Sequence, residues 1–184
     1  RVNRRVPLSR AATPLAEKSL LDLAALGTVT DLSPLVGENR WLVKRGLENL
    51  RASPRPGLAA LLASIKPEAI DSHTIGYILG PRLNAAGRLG DAMTSYRLLT
   101  TSSPAEAQKL AQELEGKNRR RQELTSEILE RALEEIEGQE REPLLLAKGE
   151  FPQGVIGLVA GRLCEEFYRP AVLLSVGEDE CRGS

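Results

Sequence analysis

Hydrophobic positions recur at helical spacing over the first three-quarters of the chain and change to strand-length runs near its end. Leu15, Leu20, Leu21, Ala24 and Leu26 mark a first helix, opened by Thr13-Pro14 and closed at Gly27. The β-branched stretch Thr28-Val29-Thr30-Asp31-Leu32 is too short for another helix. It predicts a strand end, or the turn after one, broken by Ser33-Pro34. Asn39 is a cap candidate for a helix from Arg40 to about Ala52, with Leu42, Val43, Leu47 and Leu50 on its apolar face. Trp41 reads as an anchor against a neighbouring element. Pro54–Gly57 reads as a linker, Leu58–Ile65 as a short apolar helix closed by Lys66-Pro67, and Ser72 as the cap of a helix through Leu79. His73, the only histidine, falls in that cap and reads as a local polar residue. Met93–Leu99 gives one more short helix.

Ser103-Pro104-Ala105-Glu106 has the form of a capping box with proline at the first helical position. The helix it opens runs to Gly138, roughly 50 Å at 1.5 Å per residue. Leu110, Leu114, Leu124, Ile128, Ala132 and Ile136 are its apolar positions. Between Glu115 and Glu123 that stripe fails, and Lys117, Arg119, Arg120 and Arg121 cluster instead. Two apolar ends with a polar middle predict a bridge between two packed units. The basic middle is either a solvated face or the lining of a groove for an anionic strand. Past Gly138, Pro143–Lys148 and Ala171–Val176 are continuous apolar runs of strand length, with the apolar helix Gly154–Phe167 between them. Strand, helix, strand at this spacing predicts two parallel strands joined by a right-handed crossover. Gly154, Gly157 and Gly161 lie near one face of the helix, and the loop from Phe151 feeds its N-terminus, where free N–H groups attract anions. The loop matches neither a Walker A motif nor a dinucleotide fingerprint.

Residues 78–92, between the two halves, are the densest in chemistry. Gly80-Pro81 predicts a break in the helix, because proline lacks the N–H and restricts the residue before it. Arg82, Asn84 and Arg88 then offer fork-shaped donors and an amide, on backbone that Gly87 and Gly90 leave free to approach a ligand. Such a stretch suits a phosphate chain; a polar inter-helix loop has the same composition.

Composition changes this picture little. The chain of 184 residues is 41% apolar and 27% charged, ordinary for a globular protein of one sizeable or two small domains. Aromatics are only 3%, so the core must be aliphatic. Net charge is zero and gives no global argument for nucleic acid or membrane, although Arg1, Arg4, Arg5 and Arg10 make the first residues basic. Cys164 and Cys181 have no metal-ligand or redox spacing, which fits a reducing cytoplasm. No apolar run of transmembrane length and no signal peptide is seen. Both ends look cut, so the chain is expected to be a piece of a longer protein.

Three blocks carry a specific likeness: DLAALGTVTDLSPLVGENRWLVKRGL at 22–47, GPRLNAAGRLGDA at 80–92 and FPQGVIGLVAGRL at 151–163. Together and in this order they resemble the nuclease branch of the DHH phosphoesterase family. The resemblance implies an α/β protein. Residues 1–102 would form the mostly helical C-terminal part of a DHH catalytic domain, 103–138 a long connecting helix, and 139–184 the start of an α/β DHH-associated substrate-binding domain. It implies 5′→3′ degradation of single-stranded DNA in repair and recombination, by two-metal hydrolysis with Mn²⁺ or Mg²⁺. A single-strand-binding protein and a helicase would be its partners, and the cytoplasm its place. Asp31, four residues after Gly27, matches the family's last metal-binding aspartate and would be a catalytic metal ligand; on the residues alone it reads equally as a turn cap. Asp22 reads as a residue that caps or pairs within its own helix. Arg82, Asn84 and Arg88, the helix start Gly154, Val155, Ile156 and Gly157, and the turn Arg182-Gly183-Ser184 would grip the strand's phosphates.

The chain departs from the family in one respect. The Asp-x-Asp motif, the second aspartate, the Asp-His-His motif and the arginine beyond the Gly-Ser turn are absent from these residues. The expectation is therefore an enzyme in the intact protein and an inactive chain by itself. The rival readings are an inactivated relative serving as a scaffold at replication forks, and a phosphoesterase for short oligonucleotides or cyclic dinucleotides.

Overall fold

Two aliphatic cores, joined by one long helix, organise the chain. The computed structural model describes residues 20–139 and 142–184. The basic arm 1–12 and the helix start at Thr13-Pro14 lie outside the described residues.

The first core is helical. It is built by α1 (Leu21–Thr30), α2 (Gly37–Ala52), α3 (Pro56–Ile65), α4 (Gly80–Leu89), α5 (Met93–Thr100) and the first half of α6 (Pro104–Glu135). Leu50, Leu58, Leu61, Ile75, Leu79, Leu98 and Leu114 are fully buried there, the aliphatic solution that scarce aromatics require. At Gly46 a Cβ would strike the Leu21 carbonyl, so the absence of a side chain is what lets α2 lie against α1. Asp22 is buried and pairs with Arg55 through two bonds of 2.7 and 2.8 Å, while Arg55 also donates to the Leu99 carbonyl at 3.0 Å. Asp22 therefore ties α1 to the starts and ends of two other helices; it does not pair within its own helix.

The 32 residues of α6 span about 48 Å at 1.5 Å per residue. Leu110, Ala111 and Leu114 enter the first core; Ile128 and Ala132 enter the second. Ser103 accepts from the Glu106 N–H at 3.3 Å, but the Glu106 carboxylate turns to Thr101 and Arg97. Only half of the expected capping box forms. The second core packs α7 (Gln153–Phe167) on a sheet of β1 (Leu145–Gly149), β2 (Ala171–Val176) and β3 (Cys181–Gly183). The strand order is β1-β2-β3, with β1 parallel to β2 in the register Leu145 to Ala171, and β3 antiparallel to β2.

Several sequence expectations are corrected. Thr28–Thr30 is not a strand but the last turn of α1, and Asp31 is its C-cap. The Thr28 and Thr30 hydroxyls each donate at 2.7 Å to the carbonyl four residues back, which holds β-branched residues in the helix. Gly80-Pro81 does not break the chain either. Helical backbone runs from Ser72 to Leu89, with a π-helical turn at Thr74–Leu79. Arg182-Gly183-Ser184 is not a turn: it pairs along β2, where Ser184 and Leu173 exchange backbone bonds of 3.0 Å. Neither Asn39 nor Ser72 caps its helix; Asn39 donates to the Pro34 carbonyl, and Asp71 accepts from the Thr74 N–H at 2.8 Å. Trp41 is 55% exposed, with the Arg45 guanidinium over its ring, and anchors nothing within the described residues.

Breaking the Asp22–Arg55 pair from one side leaves a buried charge alone. Asp22→Ala is expected to cost about 3–5 kcal/mol in urea unfolding. A second test concerns Glu113, whose carboxylate the Lys117 ammonium and the Thr94 hydroxyl hold below the usual range. That tie between α5 and α6 is complete above the carboxylate's unfolded pKa and is lost as pH falls through the lower folded one. Thr94→Val should move the Glu113 midpoint upward in an NMR titration.

Candidate nucleic-acid interface

The π-helical turn sets up the central stretch. Gly80 donates its N–H to Ile75, five residues back, and Pro81 follows with no N–H to place. The wider turn takes up the residue that a regular helix could not accommodate, so α4 continues with proline in its first turn. Gly80 also admits α1: a Cβ there would lie 2.7 Å from the Thr30 methyl. Asp31 thus follows the residue that packs on the start of α4.

The two arginines of α4 have different surroundings. Arg82 is mostly buried and grips Glu115 of α6 at 2.6 Å, while its other arm donates to the Ile78 carbonyl at 2.9 Å. Its fork is engaged in holding α4 to α6. Arg88 is exposed, and its described contact is a 3.1 Å bond to the Gly154 carbonyl at the start of α7. Asn84 is exposed on the same helix.

At the start of α7 the two lobes touch backbone to backbone. A Cβ on Gly154 would collide with the Arg88 carbonyl, so only glycine allows this approach. Val155 and Ile156 are buried in the second core, which leaves only their backbone to face an anion, and the Val155 N–H already donates to Pro152. Gly157 faces Ser184, whose Oγ would lie 2.8 Å from an added Cβ. Arg182 donates to the Gln153 side chain at 3.2 Å and pairs with Glu180 at 2.9 Å. Arg88, Gly154, Gly157, Arg182, Gly183 and Ser184 therefore meet at one place, where the end of α4 abuts α7 and β3. Arg82 lies one step behind it, and Asp31 belongs to a different element.

Two further cations reach this junction. Arg121, on the α6 face that also carries buried Asn118 and Thr125, bonds through its guanidinium to the Asn118 amide oxygen at 3.0 and 3.3 Å. Burial, then the charges of Arg88, Arg162 and Arg82, push its guanidinium below the usual arginine range. Arg162 stands two turns along α7 from Gly154. The remaining cations of the α6 cluster behave otherwise: Lys117 pairs with Glu113 and bonds Thr94, and Arg120 pairs with Glu123 and Glu127. The spacing of Asn118, Arg121 and Thr125 on one helix face was a signal for Arg121. Arg162 carried none, because only tertiary packing brings it here.

A metal requires more than these residues give. Asp31 is an exposed carboxylate at a helix C-cap, and among the described residues no three His, Cys, Asp or Glu side chains converge. The described residues by themselves do not fit a two-metal site.

The fold and this junction define a two-lobed segment in which a helical unit and an α/β unit meet around arginines. No protein-family model matches the chain. It is 40% identical over 175 residues to the single-stranded-DNA-specific exonuclease RecJ of Escherichia coli, covering 90% of this chain and 30% of that protein. The RecJ of Bacillus subtilis is 39% identical over 165 residues, 88% of this chain and 21% of its own length. A crystal structure of RecJ from Thermus thermophilus in complex with Mg²⁺ superposes with a TM-score of 0.80 at 38% identity, over 86% of this chain and 25% of that one. In sequence and in fold the chain is RecJ-like, and it spans about a fifth to a third of the length of the curated relatives it matches.

The difference between the two α4 arginines is measurable. Arg82→Met strands Glu115 and is expected to cost about 1–3 kcal/mol of stability, with no change in the salt dependence of single-strand binding. Arg88→Ala should do the reverse, lowering the log–log salt slope by about 0.7 at unchanged melting temperature.

Proposed function

We propose that this chain is part of a single-stranded-DNA exonuclease acting 5′→3′ in DNA repair and recombination, in which it joins the end of the catalytic DHH domain to the start of a DHH-associated domain. The observation that carries this reading is the identity of about 40% to curated RecJ proteins across some nine-tenths of the chain, with a matching fold. The units divide at about residues 102 and 138, where the connecting helix begins and ends. The strand runs over the junction of α4, α7 and β3, held by phosphate contacts from Arg88, Asn84, the backbone at Gly154–Gly157 and the Arg182-Gly183-Ser184 strand.

Metal chemistry enters with residues beyond those described. RecJ structures have been solved with Mg²⁺ and with Mn²⁺, which supports either ion as the cofactor of the intact enzyme. Asp31 supplies one ligand to it; hard cations of this kind prefer carboxylate oxygen. No described helix is long and apolar enough to cross a membrane, and a cytoplasmic place follows from the DNA-processing role. A single-strand-binding protein and a helicase are the partners that role requires.

The 184-residue chain is expected to bind a labelled oligonucleotide and leave it intact with Mn²⁺ present. In the intact enzyme, Asp31→Ala should abolish turnover and keep single-strand affinity within a few-fold. Digestion by the chain alone, or an unaffected rate in the Asp31 variant, would refute the ligand assignment.

A further inference from the structure

We propose that Arg88, Arg121 and Arg162 form a seat for one phosphate group between the lobes, with α4, α6 and α7 each giving one cation. The proposal deepens the nucleic-acid reading above and rests on it for the identity of the ligand.

Three guanidinium groups brought together from three helices repel one another unless an anion lies among them. Other arginines in the chain have found carboxylates: Arg55 holds Asp22, Arg82 holds Glu115, Arg97 holds Glu106 and Arg120 holds Glu123. Among the described residues no carboxylate lies within ion-pair distance of Arg88, Arg121 or Arg162; Arg88 donates to a carbonyl and Arg121 to an amide oxygen. Nor can the cluster easily disperse. Arg121 is partly buried between Asn118 and Thr125 and is tethered to Asn118, and the Gly154 contact fixes the end of α4 against α7. A planar fork with several free N–H groups on each cation matches the oxygens of a phosphate, and a neutral ligand would leave the repulsion in place.

Shape separates this seat from the generic basic face of α6. Arg119 and Arg120 lie on the exposed side of the same helix, one residue apart from Arg121 but turned away from α7. A strand that follows the junction would place one phosphodiester against Arg121, with its neighbours along α4 and β3. Free phosphate offers the same oxygens, so the test uses both.

The chain is melted with and without inorganic phosphate, and titrated with a labelled thymidine oligonucleotide at several salt concentrations. Both ligands should raise the melting temperature. Arg121→Ala should melt no lower than the parent without ligand, because a repelled cation is removed. It should also lose the phosphate-induced shift, bind the strand roughly tenfold more weakly and show a salt slope smaller by about 0.7. Arg162→Ala should show the same losses, Arg121→Lys a partial recovery, and Arg119→Ala none of them. A lower melting temperature for Arg121→Ala with the phosphate shift intact would make Arg121 a structural cation and overturn the seat. Strand binding with an unchanged slope in both variants overturns the seat and leaves the nucleic-acid reading standing. Stabilisation by phosphate without any strand binding keeps the seat and overturns that reading. No response to either ligand overturns both.

Discussion

The approach of Gly154 to the Arg88 carbonyl decides how the two cores meet. Everything proposed for the junction depends on it: with a side chain at 154, α7 would stand off from α4, and the arginine bond to the Gly154 carbonyl would open with it. A backbone contact of this kind gains little energy of its own. Its effect is positional, because it converts two separately stable cores into one surface. The Arg82–Glu115 pair sets the other side of the same frame, fixing α4 on the helix that spans both cores. Two arginines six residues apart on one helix thus do different things, one holding the frame and the other standing at its open edge.

The π-helical turn explains how they come to differ. Proline at 81 would disrupt a regular helix, and a true break there would leave Arg82 and Arg88 on a loop with no fixed direction. The bond from Gly80 to Ile75 widens the turn just before the proline and lets helical geometry resume. Arg82 then points at α6, and Arg88, more than a turn further on, reaches α7. Thr30 packing on Gly80 uses the same small residue to bring the end of α1, and with it Asp31, to the start of α4. The one carboxylate assigned to metal and the arginines assigned to phosphate are therefore mounted on opposite ends of a single rigid segment.

Much of the fold was legible because periodicity is a local signal. The long α6, with its Ser103 cap and its polar middle, and the β1–α7–β2 unit follow from spacing alone. The misreadings have local causes that spacing does not reveal. Thr28 and Thr30 look like a strand, yet their hydroxyls bond back into the helix and extend it. Gly80-Pro81 looks like a stop because nothing in the neighbouring residues announces a π turn. Arg182–Ser184 looks like a turn because its partner strand is known only from the sheet. For the site, residue type was legible and role was not. Arginine at 82 and at 88 reads identically in sequence; only the position of Glu115, thirty-three residues away, separates a structural cation from an available one.

Charge neutrality hides the same distinction on the scale of the whole chain. A net charge of zero suggests no preference for nucleic acid, but the fold pairs acids and bases unevenly. Around the first core and along the outer face of α6, Asp22, Glu113, Glu115 and Glu123 each find a cation. At the junction of α4, α6 and α7 the positive groups come from three helices without a matching acid. Those helices belong to both cores, so an anion seated there touches both at once and resists their separation. Binding and the rigidity of the joint are then coupled through one contact. A groove that firms up only when a phosphate occupies it suits a polymer whose identical phosphates must each be held for a moment and then released.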